Sequence, residues 1–146
     1  MPSLHAAIPR KLHHNRNMAR GFLMCGSILA FLSVALGAFA AHALKSRLTP
    51  NALEVFRTAV DYQAYHALAL ILVAGIWHFR PDLSKLKTAC MLFAAGVVVF
   101  SGSLYLLALT GVTWLGAITP IGGICFLAAW VMVTWAAASL PVNPRP

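Results

Sequence analysis

With 146 residues, 60% hydrophobic and only 10% charged, this chain carries too few charges to clothe a water-exposed surface; ordinary soluble domains hold about 25% charged residues. That deficit, with a mean hydropathy of +0.79, excludes a water-exposed globule and predicts residence in a lipid bilayer. The net charge of +8 lies between apolar runs rather than on one face, so it reads as topology signal and contact with anionic lipid, with no nucleic-acid partner.

Residues Met1–Arg20 are polar and basic, with Arg10, Lys11, Arg16 and Arg20 beside His5, His13 and His14. Pro2 and Pro9 argue against a helix, so a flexible cytoplasmic tail is expected. The adjacent His13 and His14 do not make an ordered metal site by themselves, and no metal site is expected elsewhere. Phe22–Leu44 follows, 23 residues without a charge and long enough to span a bilayer. Gly26, Ala30, Ser33, Gly37 and Ala41 recur three or four apart, a stripe of small side chains that lets another helix approach closely. A cleaved signal peptide would carry an apolar stretch of only about 7–15 residues, so this run is read as a retained helix.

Lys45–Val60 is the first loop, and Thr49-Pro50-Asn51 marks a helix start, with Pro50 at the first helical position. A short interfacial helix through Leu53, Val55, Phe56 and Val60 is expected before the second span, Ala59–Phe79. That span opens on Asp61-Tyr62-Gln63-Ala64-Tyr65-His66, a polar run driven into apolar sequence. Tyr62, Gln63 and His66 share one helix face. Polar groups at the edge of hydrocarbon are costly unless paired, so Asp61, Tyr62, Gln63 and His66, together with His42, are the candidate binding residues. His42 is expected at the same level, near the outer surface, with His66 bonding across to the first helix or first loop. Trp77 and His78 should mark the opposite interface.

Arg80–Lys87 is a charged turn broken by Pro81. In the third span, Thr88–Leu109, Ala94, Ser101 and Ala108 recur every seven residues. Ser101-Gly102-Ser103 falls near mid-membrane, as a bend or an interhelical contact. Thr110–Ile118 is an uncharged connection with Trp114 in the headgroup belt. Pro120 starts or kinks the fourth helix, Gly122 and Gly123 allow close approach, and the span runs through Leu140 to the tail Pro141–Pro146. Cys25, Cys90 and Cys125 all lie in apolar runs and read as free thiols.

Counting Lys and Arg by side gives eight on the face bearing the termini and the Arg80–Lys87 turn, against three on the other. Both termini are therefore placed in the cytoplasm. The expected fold is an all-α, four-helix transmembrane bundle with spans at about 22–44, 59–79, 88–109 and 118–140. Gly26, Ser33, Gly37, Ala41, Ser101, Gly102, Pro120, Gly122 and Gly123 are its helix-packing positions.

Four stretches appear in order: Gly37-Ala38-Phe39-Ala40-Ala41-His42-Ala43-Leu44, Tyr62-Gln63-Ala64-Tyr65-His66-Ala67-Leu68-Ala69, Phe100-Ser101-Gly102-Ser103-Leu104-Tyr105 and Ile118-Thr119-Pro120-Ile121-Gly122-Gly123. With them the chain resembles the YgdD-like family of small multi-pass membrane proteins (domain of unknown function 423), from about Met18 to Ala138. The resemblance implies four transmembrane helices and, in bacteria, residence in the inner membrane. It implies no activity and no catalytic residue. It nominates His42, Tyr62, Gln63, His66, Ser101, Tyr105 and Pro120 as motif positions.

Three functional readings follow. The first is a non-enzymatic accessory or assembly protein that associates with other membrane helices or with itself, suggested by the small-residue stripes. The second is a small transporter or channel with a polar site at Asp61–His66, using Ser101-Gly102-Ser103 and Pro120 with Gly122-Gly123 as candidate helix breaks. The third is a haem- or quinone-binding redox module using His42 and His66. Glu54, Asp61 and Asp82 are too scattered for paired acid–base chemistry, and no hydrolase or phosphate-binding motif is present. No catalytic residue or cofactor is assigned.

Overall fold

The structure, a computed structural model, describes residues 10–140; the expectations for residues 1–9 and 141–146 lie outside them. Helix α1 (Arg10–Phe39) runs into a π-helical turn at Ala40–Leu44, and α2 spans Pro50–Phe79. Helix α3 (Ser84–Gly96) continues through a second π-helical turn, Val97–Ser101, into α4 (Gly102–Thr110), and α5 is Leu115–Ala138. Among the described residues there is no strand, and four stretches are long and apolar enough to cross a membrane: Leu12–Leu44, Pro50–Phe79, Ser84–Thr110 and Leu115–Ala138.

Local chemistry sets the ends of these rods. The Thr49 hydroxyl accepts the Ala52 N–H at 3.3 Å, and Pro50 occupies the first turn, where its missing N–H costs nothing. No Gly or Pro interrupts α2 before Gly75, so residues 50–60 are its first turns. The separate interfacial helix expected there does not form. At the far end the Arg80 N–H closes the last turn on the Ile76 carbonyl, and Pro81 forbids continuation. Helix α4 stops at Gly111, whose φ of 72° is left-handed, a conformation that glycine adopts without steric cost. Pro120 neither starts α5 nor breaks it; the helix begins at Leu115 and carries Pro120 inside.

Helix α2 is central. It packs on α1 along one side and on α3, the second π turn and α4 along the other, while α5 packs against α3, that π turn and α4. The α1–α2 register is fixed by small residues. A Cβ on Gly26 would lie 3.1 Å from the Ala67 carbonyl and 2.8 Å from the Ile71 side chain, and one on Gly37 would lie 3.5 Å from Val60. Ser33 is buried and bonds back to the Ala30 carbonyl. Ala41, expected in this stripe, is exposed, and Ala40 is buried in its place. The contact line steps three residues on from Gly37 rather than four as the rod enters its π turn.

One further expectation is corrected. Residues 10–20 are helical rather than a flexible tail: Ala19 is fully buried, and the Asn15 amide donates to the Pro81 carbonyl at 2.8 Å. This extension docks on the turn between α2 and α3. Trp77, near the end of α2, faces inward into the main core, fully buried and 6.4 Å from the Phe22 ring. It continues the inward stripe of Leu70, Val73 and Ala74. The interfacial contact at that end is made by Lys85, which reaches the Ser139 hydroxyl at 3.0 Å and lies 4.4 Å over the Trp135 ring.

Candidate functional site

The polar run on α2 diverges toward two neighbours. Gln63 is buried against α1 and α4: its Nε2 donates to the Leu29 carbonyl at 2.9 Å, and its Oε1 accepts the Tyr105 hydroxyl at 3.0 Å. One amide thus joins three helices deep among apolar side chains, where an unpaired amide would be costly.

Tyr62 and His66, one turn apart, turn toward α5 instead. The Tyr62 ring stacks on Phe100 with centroids 4.5 Å apart, and the His66 ring stacks on Phe126 at 3.5 Å and 6°. His66 Nδ1 lies 2.8 Å from the Tyr62 carbonyl. A carbonyl can only accept, so Nδ1 carries the proton, and the neutral ring keeps Nε2 as a bare acceptor. The bond expected from His66 to the first helix is made by Gln63; the imidazole bonds within its own helix. Its position around α2 points it at α5, not α1.

His66 also lies deeper than expected. Phe93 and Phe126, which flank it, sit near the middle of their rods, so His66 is near mid-depth rather than at the outer surface. His42 is exposed in the π turn ending the first rod. The α1–α2 register places His42 opposite roughly residue 54, about 18 Å along the helix axis from His66 at 1.5 Å per residue. The two histidines do not meet, and the bis-histidine site does not form. Among the described residues no three His, Cys, Asp or Glu side chains gather to hold a metal.

The other expected residues scatter. Asp61 is exposed, and the ion pair among the described residues is Arg80–Asp82, far from it. Ser101 is fully buried in the π turn with its hydroxyl unpartnered among the described residues. Ser103 makes the cross-helix bond instead, 2.8 Å from the Thr119 hydroxyl on α5. Gly122 packs against the Phe100 backbone, whereas Gly102 has nothing within 4 Å of a Cβ position.

Tyr62, His66, Phe100, Pro120, Phe126 and Trp130 line a cleft of about 420 Å³ between α2 and α5. Phe126 and Trp130 are the functional-site residues that sequence reasoning missed. Their i, i+4 spacing puts both on one face of α5, but nothing in the sequence says which helix that face meets. Gly96, also unremarked, lets the Phe126 ring in: a Cβ there would come within 2.5 Å of it.

A family model described as a protein of unknown function (DUF423) matches residues 36–123, from the end of α1 through Gly123. The chain belongs to the DUF423 family. It is 45% identical over 68 residues to the UPF0382 membrane protein YwdK of Bacillus subtilis (strain 168), a match covering 47% of this chain and 55% of the relative. It is 45% identical over 55 residues to the UPF0382 membrane protein SH2409 of Staphylococcus haemolyticus (strain JCSC1435), covering 38% of this chain and 45% of that one. A third, the UPF0382 membrane protein SAUSA300_0565 of Staphylococcus aureus (strain USA300), is 41% identical with the same coverage. The chain thus spans about half the length of the curated relatives it matches. No solved structure matches it. With four apolar rods and relatives named as membrane proteins, this DUF423 member is a multi-pass membrane protein. The DUF423 match takes in Asp61, Tyr62, Gln63 and His66 and stops short of Phe126 and Trp130.

Proposed function

We propose that this protein is a non-enzymatic accessory subunit of the bacterial inner (plasma) membrane, associating with helices of another membrane protein or a second copy, both termini in the cytoplasm. The observation that carries the reading is Asp61. Its carboxylate is exposed about 16 Å along α2 from Pro50, at 1.5 Å per residue, where apolar side chains such as Leu68 and Leu72 share the same outer face. A carboxylate facing lipid is costly unless paired, by about 2.5–3.5 kcal/mol at the centre of a span and by less toward its edge. A cation or hydroxyl on a neighbouring helix would offset that cost; among the described residues the ion pair is Arg80–Asp82, and Asp61, one turn after Arg57, has none. Helix α1 supports the reading: it packs chiefly on α2 and leaves nearly all of its apolar span free. The excess of Lys and Arg on the terminal side, eight against three, supports the orientation.

Native mass spectrometry of the chain extracted in mild detergent at native abundance tests this. A species heavier than the lone chain is expected, with its share falling at least tenfold in Asp61→Leu. A lone chain as the sole species from wild-type membranes contradicts it.

A further inference from the structure

The cleft between α2 and α5 has a chemistry of its own, independent of any partner. Three rings around it share roughly one orientation: Tyr62 lies at 25° to His66 and 31° to Phe126, and His66 lies at 6° to Phe126, whereas Phe100, at 25° to Tyr62, is turned 54° from Phe126. Trp130 is turned 58° to His66. A flat ring entering the cleft therefore meets aromatic faces already parallel to it, the offset stacking that aromatic pairs prefer. The volume, about 420 Å³, falls in the range of pockets that hold small molecules. Exposed Ile124 and Leu127 at its rim face the hydrocarbon, so a ligand reaches it sideways from the bilayer and can leave an alkyl tail outside.

The polar groups decide what the ring must carry. With Nδ1–H committed to the Tyr62 carbonyl, the imidazole keeps Nε2 as an acceptor, with no partner among the described residues. A ligand bearing only carbonyl oxygens meets that lone pair with its own. A ring hydroxyl donates to it. The Tyr62 hydroxyl, also without a partner among the described residues, is free to donate or accept at a second oxygen.

We infer that the Tyr62–His66–Phe126–Trp130 cleft is a lateral binding site for a lipid-soluble quinol, a flat ring whose hydroxyl donates to His66 Nε2 while its hydrocarbon tail stays in the membrane. Binding is the whole of the inference; no electron transfer is assigned.

The test is titration calorimetry on the full chain in detergent micelles, with a decyl-tailed 1,4-benzoquinol kept reduced and with its dimethyl ether. The ether has the same ring and tail but no donor. Saturable one-to-one binding of the quinol, at least tenfold tighter than the ether, is expected. In His66→Phe, which keeps the stacking and loses the acceptor, quinol affinity should fall to that of the ether, whose own affinity stays put. Equal affinity of wild type for the two ligands overturns the inference, as does an absence of saturable quinol binding. Equal affinity is also the result expected if the cleft simply holds an acyl chain. The comparison of the two ligands on wild type decides the matter even if the variant fails to fold.

Discussion

Gly122 and Gly102 are both helical glycines near the middle of the membrane domain, and they should answer to alanine in opposite ways. A Cβ on Gly122 would lie 2.7 Å from the Phe100 Cβ and closer still to its backbone, which cannot swing aside as a side-chain tip can. Gly122→Ala should cost about 2–3 kcal/mol, the upper part of the overpacking range, read as a lower midpoint of unfolding in mixed micelles. Gly102 has an ordinary helical φ of −60° and empty space around its Cβ position. Gly102→Ala should raise that midpoint slightly, by about 0.5–1 kcal/mol of helix propensity. Gln63→Leu removes both interhelical bonds of the amide and should destabilise by about 1–2 kcal/mol. Tyr105→Phe added to it should cost little more, because its hydroxyl has already lost its acceptor; a fully additive double variant would show the bond is not made. The sequence revealed that Gln63 and His66 need partners but not which, because the partner depends on how α1 and α5 are turned about α2.

The long uncharged runs made the spans legible, since backbone polar groups in hydrocarbon must bond within a helix. Their ends were less so. Pro9 argues against a helix, yet among the described residues α1 is already helical at Arg10. The docked first turns of α1 should show in hydrogen exchange: amides 15–20 should be protected like those of α2, whereas a flexible tail would exchange within the dead time. At the α2–α3 turn the hydrogen bond and charge of Arg80, 2.9 Å away, hold the Asp82 carboxyl below its usual range. Because the folded value is the lower one, the stability this adds is present above about pH 4, the ordinary carboxylate value, and is lost as pH falls. Both side chains are largely exposed, so the effect is small. Asp82→Asn should leave the unfolding midpoint at pH 7 nearly unchanged and flatten part of its decline in acid; a steep loss at neutral pH would refute that assignment.

The four rods form an open row rather than a closed ring: α1 on α2, α2 on α3 and α4, and those on α5. Between α2 and α5 the backbones part and aromatic rings fill the space, which is what leaves a cleft open to lipid. Composition alone could show four crossings but not this order, since neighbours in a membrane are chosen by side-chain shape rather than by hydrophobicity. The two proposed roles fall on separate surfaces, Asp61 and the free flank of α1 for a protein partner and the aromatic cleft for a small ring. The orientation proposed for the bundle has α2 crossing the bilayer with its Lys45–Thr49 end outside. Labelling with a membrane-impermeant maleimide tests that most directly, in a variant whose Cys25, Cys90 and Cys125 are replaced by alanine. With Arg47→Cys the intact cell should be labelled from outside, and with Lys85→Cys only after the cell is opened; labelling of Lys85→Cys from outside contradicts the arrangement.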